Sequence, residues 1–319
     1  MAINPNPPAI LLMGPTASGK TDVALELARV LPCEIVSVDS ALVYKGMNIG
    51  TAKPDRAILD AIPHHLIDLI EPHESYSAAR FRDDALAAMR EIVERDRIPL
   101  LVGGTMLYFK ALTEGLNELP EADPMIRLVI DTMAQEGGWA AVYEKLREVD
   151  PETAARLDPN DTQRIQRALE IFYITGKTME ELLQKPRFVY FPYKSIKIAL
   201  VPRDRAMLHD RIETRFQKMV GDGLVEELEK LRNEYPLDPT LPSMRSVGYR
   251  QALQFLNGEL SRQELMSQGV AATRQLAKRQ MTWLRSMLDV TVFDCFEDKL
   301  AERVLEYVRR ELEALAASE

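Results

Sequence analysis

The chain has 319 residues, of which 46% are hydrophobic and 28% charged, and its net charge is −9. This balance is that of a soluble globular protein with a large buried core, in roughly two domains by length. The negative charge argues against a protein that coats nucleic acid indiscriminately, although a local basic groove remains compatible with it.

The sequence carries no sign of export or of a membrane span. No apolar run has the length of a transmembrane helix, and the N-terminus lacks the charged region and cleavage site of a signal peptide. The two cysteines, Cys33 and Cys295, lie in apolar stretches, which favours small core residues over a disulfide or a nucleophile. We expect a cytoplasmic monomer without an obligate protein partner.

Five short apolar or β-branched runs predict buried strands, with helical segments between them. The predicted strands cover residues 9–13, 34–38, 99–102, 196–201 and 290–293. Predicted helices cover residues 20–31 and 77–95, and a third follows Phe296. The first of these helices places Val23, Ala24, Leu27 and Val30 on one apolar face. The alternation of strands and helices indicates an α/β fold with a mostly parallel sheet flanked by helices.

The stretch from 116 to 194 differs from its surroundings, because it contains no convincing strand yet separates the third strand from the fourth. Breaks such as Gly137-Gly138 and Asp150-Pro151 divide it into short amphipathic helices. We therefore predict a core domain over 1–115 and 195–319, and a small helical domain over 116–194 inserted into it.

Residues 14–21, GPTASGKT, have the spacing G-x-x-x-x-G-K-[ST] of a phosphate-binding loop, or P-loop. A predicted strand precedes it and a helix follows, so backbone N–H groups and the helix N-terminus would point at a bound anion. Lys20 adds a positive charge, and the Thr21 hydroxyl can bind Mg²⁺. The pattern predicts a diphosphate or larger group with magnesium and does not specify a nucleoside. The predicted phosphate-binding residues of the loop are Gly14, Pro15, Thr16, Ala17, Ser18, Gly19, Lys20 and Thr21.

Polar residues follow the next two predicted strands. Asp39 and Ser40 come after the second strand, and Gly103-Gly104-Thr105 ends the third. The carboxyl ends of parallel strands share one edge, so Lys20, Asp39 and Thr105 should converge on one crevice. Two alternatives stay open: Asp39 could hold a water on magnesium, and Thr105 could cap the following helix.

These segments and others downstream resemble the bacterial tRNA dimethylallyltransferase family. Beyond the P-loop the matching stretches, in chain order, are VDSALVYKGMNIGTAKP, PHHLID, YSAARFRDDA, PLLVGGTMLYFKAL, NDTQRIQRALEI, SMRSVGYRQ and ATRQLAKRQMTWLR. The resemblance runs from residue 14 to residue 285. It departs at Leu42, where many members carry glutamine, so a role for a glutamine amide does not transfer.

The resemblance implies transfer of a dimethylallyl group from dimethylallyl diphosphate to the exocyclic amine of adenosine 37, beside the anticodon of tRNA. The P-loop and Mg²⁺ would then hold a leaving group. Asp39 is the candidate general base, and Thr105 would orient the amine or a phosphate oxygen. Arg215 matches the family's diphosphate-contacting arginine. The alternative for Arg215 is a surface residue paired with Glu213 or Asp222.

An adenine stacked in the anticodon loop would have to be flipped out to reach such a crevice. The resemblance implies tRNA contacts at Asp39, Ser40, Ala41, Leu42, Thr105, Arg127, Gln163, Arg164, Ile165, Gln166, Arg167, Arg245, Ser246, Val247, Gly248, Tyr249, Arg250, Lys278, Arg279, Gln280 and Arg285. The residues alone favour a solvated helix face for 163–167. They also suggest that Tyr249 can stack on a base, since it lies between two arginines, and that Trp283 belongs to the core. No acidic residue lies between Glu264 and Asp289, which makes the last segment a local basic region.

Three alternative functions share the P-loop and the parallel sheet. They are a nucleoside or small-molecule phosphate kinase, an NTPase that acts as a switch, and an isopentenyltransferase acting on free adenine nucleotide. The third predicted strand ends in Gly-Gly-Thr without the usual Walker-B carboxylate, which argues against the first two. The helical insert and the basic C-terminal segment favour RNA over a free nucleotide.

Overall fold

A computed structural model of the protein describes residues 6–117, 119–184 and 190–317. The chain divides into two compact units. The larger comprises Met1–Thr113 and Phe191–Glu319, and the smaller comprises Glu114–Tyr190. The boundaries of the smaller unit lie close to those of the predicted insert, residues 116–194.

The larger unit is built on a six-stranded sheet of order β3-β2-β4-β1-β5-β6, in which every strand pair is parallel. Its strands are β1 Pro8–Met13, β2 Cys33–Val38, β3 His64–His65, β4 Ile98–Gly103, β5 Lys194–Val201 and β6 Thr291–Asp294. The α/β fold with a parallel sheet is thus confirmed, as are the five predicted strands. The two-residue β3 was not predicted because so short an element has no periodicity.

Helices surround this sheet and form a further layer. Those before residue 115 are α1 Lys20–Val30, α2 Arg56–Ala61, α3 Ala78–Glu94 and α4 Met106–Glu114. Those after residue 190 are α9 Arg205–Gly221, α10 Leu224–Glu234, α11 Tyr249–Leu256, α12 Arg262–Ser286 and α13 Leu300–Ala317. The predicted apolar face of α1 is correct for Val23, Ala24 and Leu27 but wrong for Val30, which is 48% exposed in the last turn.

Alternating residues of the strands build two cores on opposite faces of the sheet. In β1, Leu11 and Met13 pack with α3 and α4, whereas Ile10 and Leu12 pack with α1 and α13. Helices α9–α12 form a third core with the segment after β2, which includes Tyr44 and Met47. The segment that follows β2 is therefore anchored by its packing against helices α9–α12. Both cysteines are buried free thiols, as predicted.

The smaller unit consists of helices α5 Pro124–Val149, α6 Pro151–Arg156, α7 Thr162–Thr175 and α8 Met179–Leu183. Gly138 interrupts α5 with φ 74°, so α5 consists of two helical parts joined at a kink, and the predicted break at Gly137-Gly138 is confirmed. Ile130, Leu146, Ile165 and Leu169 form the centre of its own core.

In the part of the chain that the structure describes, no helix is both long and apolar enough to cross a membrane.

Candidate active site

The P-loop connects β1 to α1 through two residues in left-handed backbone conformations. Gly19 has φ 79° immediately before α1, and Ala17 has φ 64°. A left-handed alanine costs about 1–2 kcal/mol, and such strain is retained mostly at functional sites. The loop is tight as well, since a Cβ on Gly14 would lie 2.6 Å from the Ser18 Oγ. Inside it, the Lys20 Nζ donates to the Pro15 carbonyl oxygen at 2.7 Å.

Sheet register brings three strand ends to one edge. Gly103 is the register partner of both Met13 and Val38, so the P-loop, Asp39 and the Gly-Gly-Thr turn all begin at this edge. A Cβ on Gly103 would lie 1.9 Å from the Val38 carbonyl oxygen, which shows why only glycine fits there. The predicted convergence of Lys20, Asp39 and Thr105 is therefore confirmed at the level of the backbone.

Hydrogen bonds fix the side chains of Asp39 and Thr105. The Thr105 Oγ1 accepts from the Ser40 N–H at 3.0 Å, and the Asp39 Oδ1 accepts from the Ala41 N–H at 2.8 Å. The Thr105 hydroxyl thus holds the segment that carries Asp39, rather than capping α4. Asp39 remains half-buried, and Ser40 is exposed.

Two cations and one carboxylate share this edge of the sheet. Burial, helped by the positive charge of Arg215 and opposed by the negative charge of Asp39, lowers the pKa of Lys20 to about 8. Burial also lowers the pKa of Arg215, and Asp39 opposes that shift too. The three groups therefore interact electrostatically, and because the two cations outweigh the one carboxylate, their combined positive charge favours a bound anion.

The alternative interpretation of Arg215 is wrong. Glu213 binds Arg274 at 2.9 Å instead, and Asp222 binds Lys218 at 2.8 Å. Arg215 is half-buried on α9, and its charge interacts with those of Lys20 and Asp39.

Gln280 lies on α12, and its side-chain amide is used inside the protein. Its Oε1 accepts from the Thr16 N–H at 2.8 Å, and its Nε2 donates to the Gly104 carbonyl oxygen at 2.9 Å. Gln280 was predicted as a tRNA contact, but both ends of its amide are already engaged by the P-loop and by the turn after β4. The amide is thus engaged within the protein, and a tRNA contact by Gln280 stays a prediction.

Two residues around α11 that were predicted as tRNA contacts are buried. Tyr249 is fully buried, and its hydroxyl donates to the Glu227 carboxylate at 2.5 Å and accepts from the Gly50 N–H at 3.2 Å. It cannot stack on a base, because its ring lies in the core of α9–α12. Gly248 is buried as well, while Ser246 and Val247 are half-buried.

The basic residues predicted on the larger unit remain available to a partner. Arg245, Arg250, Lys278, Arg279 and Arg285 are exposed, and none makes an ion pair within the described ranges. Trp283 was expected in the core but is 38% exposed, with the Lys110 Nζ 5.8 Å from its ring centre. Its aromatic ring thus lies on the surface beside the basic residues of α12.

In the smaller unit, the predicted tRNA contacts separate into paired and exposed side chains. The Glu170 carboxylate is fully buried and binds both Arg127 at 2.8 Å and Arg167 at 2.6 Å. Ile165 is fully buried in the core, so its prediction as a tRNA contact is wrong for the side chain.

The remaining predicted contacts of α7 differ in exposure. Gln163 and Arg164 are exposed, and Arg164 lies 3.3 Å from the Asp161 carboxylate. Gln166 is half-buried, and its Nε2 donates to the Asp131 carboxylate at 2.7 Å. The exposed start of α7 is therefore the part of this segment that solvent and a partner can reach.

Comparison with known proteins agrees with this geometry. A family model described as IPP transferase matches residues 42–287. The chain belongs to the IPP transferase family. It is 55% identical to a tRNA dimethylallyltransferase of Nitrosomonas europaea, over 95% of this chain and 96% of that one. It is 56% identical to one of Nitrosospira multiformis, over 96% and 94%.

Solved structures of the family share the fold. A tRNA isopentenylpyrophosphate transferase of Bacillus halodurans aligns with a TM-score of 0.71 and 36% identity, over 97% of this chain and 98% of that one. A eukaryotic dimethylallyltransferase, solved acting on tRNA, aligns with a TM-score of 0.77 and 25% identity, over 97% and 80%.

Two residues that the sequence did not single out support the site in this member of the family. Arg211 donates to the Ala17 carbonyl oxygen at 3.3 Å and lies over the Phe296 ring at 4.3 Å. Its position one turn before Arg215 on α9 was the available signal. Glu227 accepts from the N–H groups of Asn48 and Ile49 and so anchors the segment after Asp39. No pattern in the sequence pairs Glu227 with that segment.

Proposed function

We propose that this chain transfers a dimethylallyl group from dimethylallyl diphosphate to an adenosine of tRNA, at the exocyclic amine of the residue at position 37. The observation that carries the proposal is the arrangement of Lys20, Arg215 and Asp39 around the P-loop, in a chain that belongs to the IPP transferase family. The two cations can stabilise a diphosphate as it leaves with negative charge. The carboxylate beside them can accept the proton that the attacking amine must lose.

The P-loop side of the reaction stabilises the leaving group. As the bond between the allylic carbon and oxygen breaks, its electron pair moves onto the diphosphate. Lys20, Arg215 and the loop N–H groups stabilise that growing negative charge. Lys20 is held by its bond to the Pro15 carbonyl oxygen, and the loop by the bond from Arg211 to the Ala17 carbonyl oxygen, before the reaction starts.

A magnesium ion fits the oxygen donors present here. The Thr21 hydroxyl is exposed in the first turn of α1, and hydroxyl, phosphate and water oxygens are ligands that Mg²⁺ prefers. In the described part of the chain no cluster of three or more His, Cys, Asp or Glu residues forms a metal site, so the diphosphate and water would supply the other ligands. A magnesium ion bound to Thr21 would add positive charge on the diphosphate.

Asp39 acts on the acceptor. The adenine amine is a poor nucleophile, because its lone pair is delocalised into the ring. As that lone pair forms the bond to the allylic carbon, the Asp39 carboxylate takes the amine proton. The free oxygen for this step is Oδ2, since Oδ1 accepts from Ala41. Thr105 keeps the Asp39 segment in position through Ser40.

The tRNA would be held by exposed basic side chains while the target base is flipped into the site. Arg245, Arg250, Lys278, Arg279 and Arg285 supply five positive charges, and Trp283 supplies an exposed ring. Arg127 and the exposed start of α7 are further proposed contacts. We expect the enzyme to work in the cytoplasm, because its substrate tRNA is there and a reducing compartment keeps thiols such as Cys33 and Cys295 free.

The affinity of this surface for tRNA is expected to depend steeply on salt concentration. If four to six phosphates are neutralised, the affinity for an anticodon stem-loop should fall with a log–log slope of roughly −3 to −4 against salt concentration. Fluorescence anisotropy with a labelled stem-loop at several salt concentrations measures that slope. A flat dependence would contradict the proposed tRNA surface.

Transfer of label tests the function itself. Radiolabelled dimethylallyl diphosphate is incubated with the protein and an anticodon stem-loop, and separately with AMP, ADP or ATP. We expect label on the stem-loop adenosine and none on the nucleotides. Label on a nucleotide alone would indicate an isopentenyltransferase of free nucleotides, and ATP hydrolysis without transfer would indicate a kinase or a switch.

A further inference from the structure

We propose that Gln280 is a positioning residue, which sets the distance between the P-loop and the Gly-Gly-Thr turn and therefore between the leaving diphosphate and Asp39. The proposal rests on the proposed function and deepens it. It assigns to Gln280 a role in the rate of transfer, in place of the tRNA contact that the sequence suggested.

The first observation is that both ends of one amide bridge two separate parts of the site. The Gln280 Oε1 accepts from the Thr16 N–H at 2.8 Å, and its Nε2 donates to the Gly104 carbonyl oxygen at 2.9 Å. Both are of ordinary hydrogen-bond length. The Thr16 N–H lies early in the P-loop, before the N–H groups of residues 17–21 that follow it toward the helix N-terminus. The bridge thus braces the loop without using the donors next to α1.

The second observation is that the bridge continues to Asp39. Gly104 precedes Thr105, whose N–H donates to the Val38 carbonyl oxygen at 3.2 Å and whose Oγ1 accepts from the Ser40 N–H at 3.0 Å. Hydrogen bonds therefore connect Thr16 to Gln280, Gln280 to Gly104, and Thr105, the next residue, to the residue after Asp39. Each of these hydrogen bonds joins parts of the chain that are remote in sequence.

The third observation is that the position of Gln280 is fixed at both sides. Its neighbours Ala277 and Met281 on α12 are buried, so this turn of the helix is anchored in the core. At the other end, a Cβ on Gly104 would lie 2.3 Å from the Gln280 Nε2. The turn after β4 has a glycine at the point where the amide approaches, which is the fit expected of a built contact.

The same turn of α12 also carries exposed charges. Lys278 and Arg279 precede Gln280 directly and are exposed, whereas the Gln280 amide is turned inward to the P-loop and Gly104. The helix therefore divides two tasks between adjacent residues: Lys278 and Arg279 for the RNA, and Gln280 for the spacing of the reacting groups. A shift of about 1 Å between reacting groups costs on the order of 100-fold in rate, which gives this spacing its importance.

The test separates rate from tRNA affinity. Gln280→Leu removes both hydrogen bonds, and Gln280→Glu keeps the acceptor for Thr16 but sets a carboxylate against the Gly104 carbonyl oxygen. We expect both variants to lower kcat, measured at saturating dimethylallyl diphosphate and stem-loop, by about 10- to 100-fold. The stem-loop Kd should stay within about twofold of wild type, because no RNA contact is lost.

Two variants on the same helix serve as comparisons. Gln275→Leu changes an exposed glutamine of α12 and should leave both quantities unchanged. Arg279→Ala removes an exposed charge assigned to the RNA and should raise the stem-loop Kd, the effect that Gln280→Leu and Gln280→Glu should not have. Wild-type transfer in the same assay reports on the proposed function separately, so failure of the wild type and failure of this inference are distinguishable.

Two results would overturn the inference. A rise in stem-loop Kd with an unchanged kcat would assign Gln280 to the RNA surface, and a wild-type kcat in both variants would remove any role for the bridge. Gln280→Glu is nearly the size of the native residue, so it carries the test if Gln280→Leu does not fold. Circular dichroism and a melting curve for each variant verify folding.

Discussion

Asp39→Asn is expected to lower the rate of transfer at saturating substrates by at least a hundredfold, and to leave folding and tRNA affinity close to wild type. General-base help is typically about 10²–10⁴-fold, and an amide cannot take the amine proton. The substitution keeps an oxygen that can accept from the Ala41 N–H, so the segment after β2 retains its hydrogen bond. Single-turnover transfer of label to a stem-loop measures the loss.

Pyrophosphate binding distinguishes a base from a residue that helps to hold the leaving group. Asp39 is the carboxylate that acts on both Lys20 and Arg215, so its neutralisation should tighten binding of inorganic pyrophosphate, which isothermal titration can measure. Weaker magnesium-dependent binding would instead assign Asp39 to the metal. Asp96→Asn changes an exposed carboxylate just before β4, at the edge of the sheet opposite the site, and is the matched control that should change neither quantity. A rate loss below about tenfold would contradict the assignment of the base.

The backbone of the site could be predicted from the sequence because it follows from two local rules. A phosphate-loop spacing between a strand and a helix fixes where Lys20 lies, and parallel strands bring their carboxyl ends to one edge. Asp39 and Thr105 come directly after such strands. Their convergence therefore needed no knowledge of long-range contacts.

The contacts that hold these groups could not be predicted in the same way. Gln280 meets Thr16 across 264 residues of chain, and Glu227 meets Asn48 across 179. Such partners depend on how helices α9–α12 pack under the sheet edge, and periodicity along one segment carries no information about that packing. Tyr249 shows the same limit, because the nearby arginines in sequence suggested an RNA contact while its neighbours in space form a core.

Paired charges account for the other differences. Arg127 and Arg167 have the residue type expected of RNA contacts, yet both bind one buried carboxylate, Glu170. Removing either partner would leave a buried charge less compensated, which is strongly unfavourable. A loss of tRNA binding in an Arg127 or Arg167 variant must therefore be separated from a loss of folding in the smaller unit.

Lys20→Met is expected to act in opposite directions on binding and on stability. Without the ammonium group, the P-loop loses a charge that faces the diphosphate, so the KM for dimethylallyl diphosphate should rise and the transfer rate should fall by about 10²–10³-fold. The free protein, however, should become more stable at pH 7. Burial and Arg215 lower the pKa of Lys20 from its ordinary 10.5 to about 8, so the charged form is less favourable in the folded state than in the unfolded one.

The sign of the pH dependence follows from the protons bound in each state. Below pH 8 Lys20 is charged in both states, and the wild type bears the whole cost of that buried charge. Between pH 8 and 10.5 the unfolded state binds more protons, so the stability of the wild type rises with pH relative to the variant. The variant should therefore exceed the wild type by about 1–2 kcal/mol at pH 7, once loss of the bond to Pro15 is included, and the gap should close toward pH 10.5.

Urea unfolding of both proteins at pH 7, 8.5 and 10 measures this gap directly. Lys230→Met removes an exposed lysine and should show no pH-dependent gap, which separates the effect of the P-loop from a general loss of charge. A Lys20→Met variant less stable than the wild type at pH 7 would show that Lys20 contributes more through its bond to Pro15 than its burial costs. Equal stability with a large loss of pyrophosphate affinity would leave its binding role intact but contradict the depressed pKa. The expected pairing, a gain in stability together with a loss of function, is the behaviour of a cation that the fold holds in place for an anionic substrate.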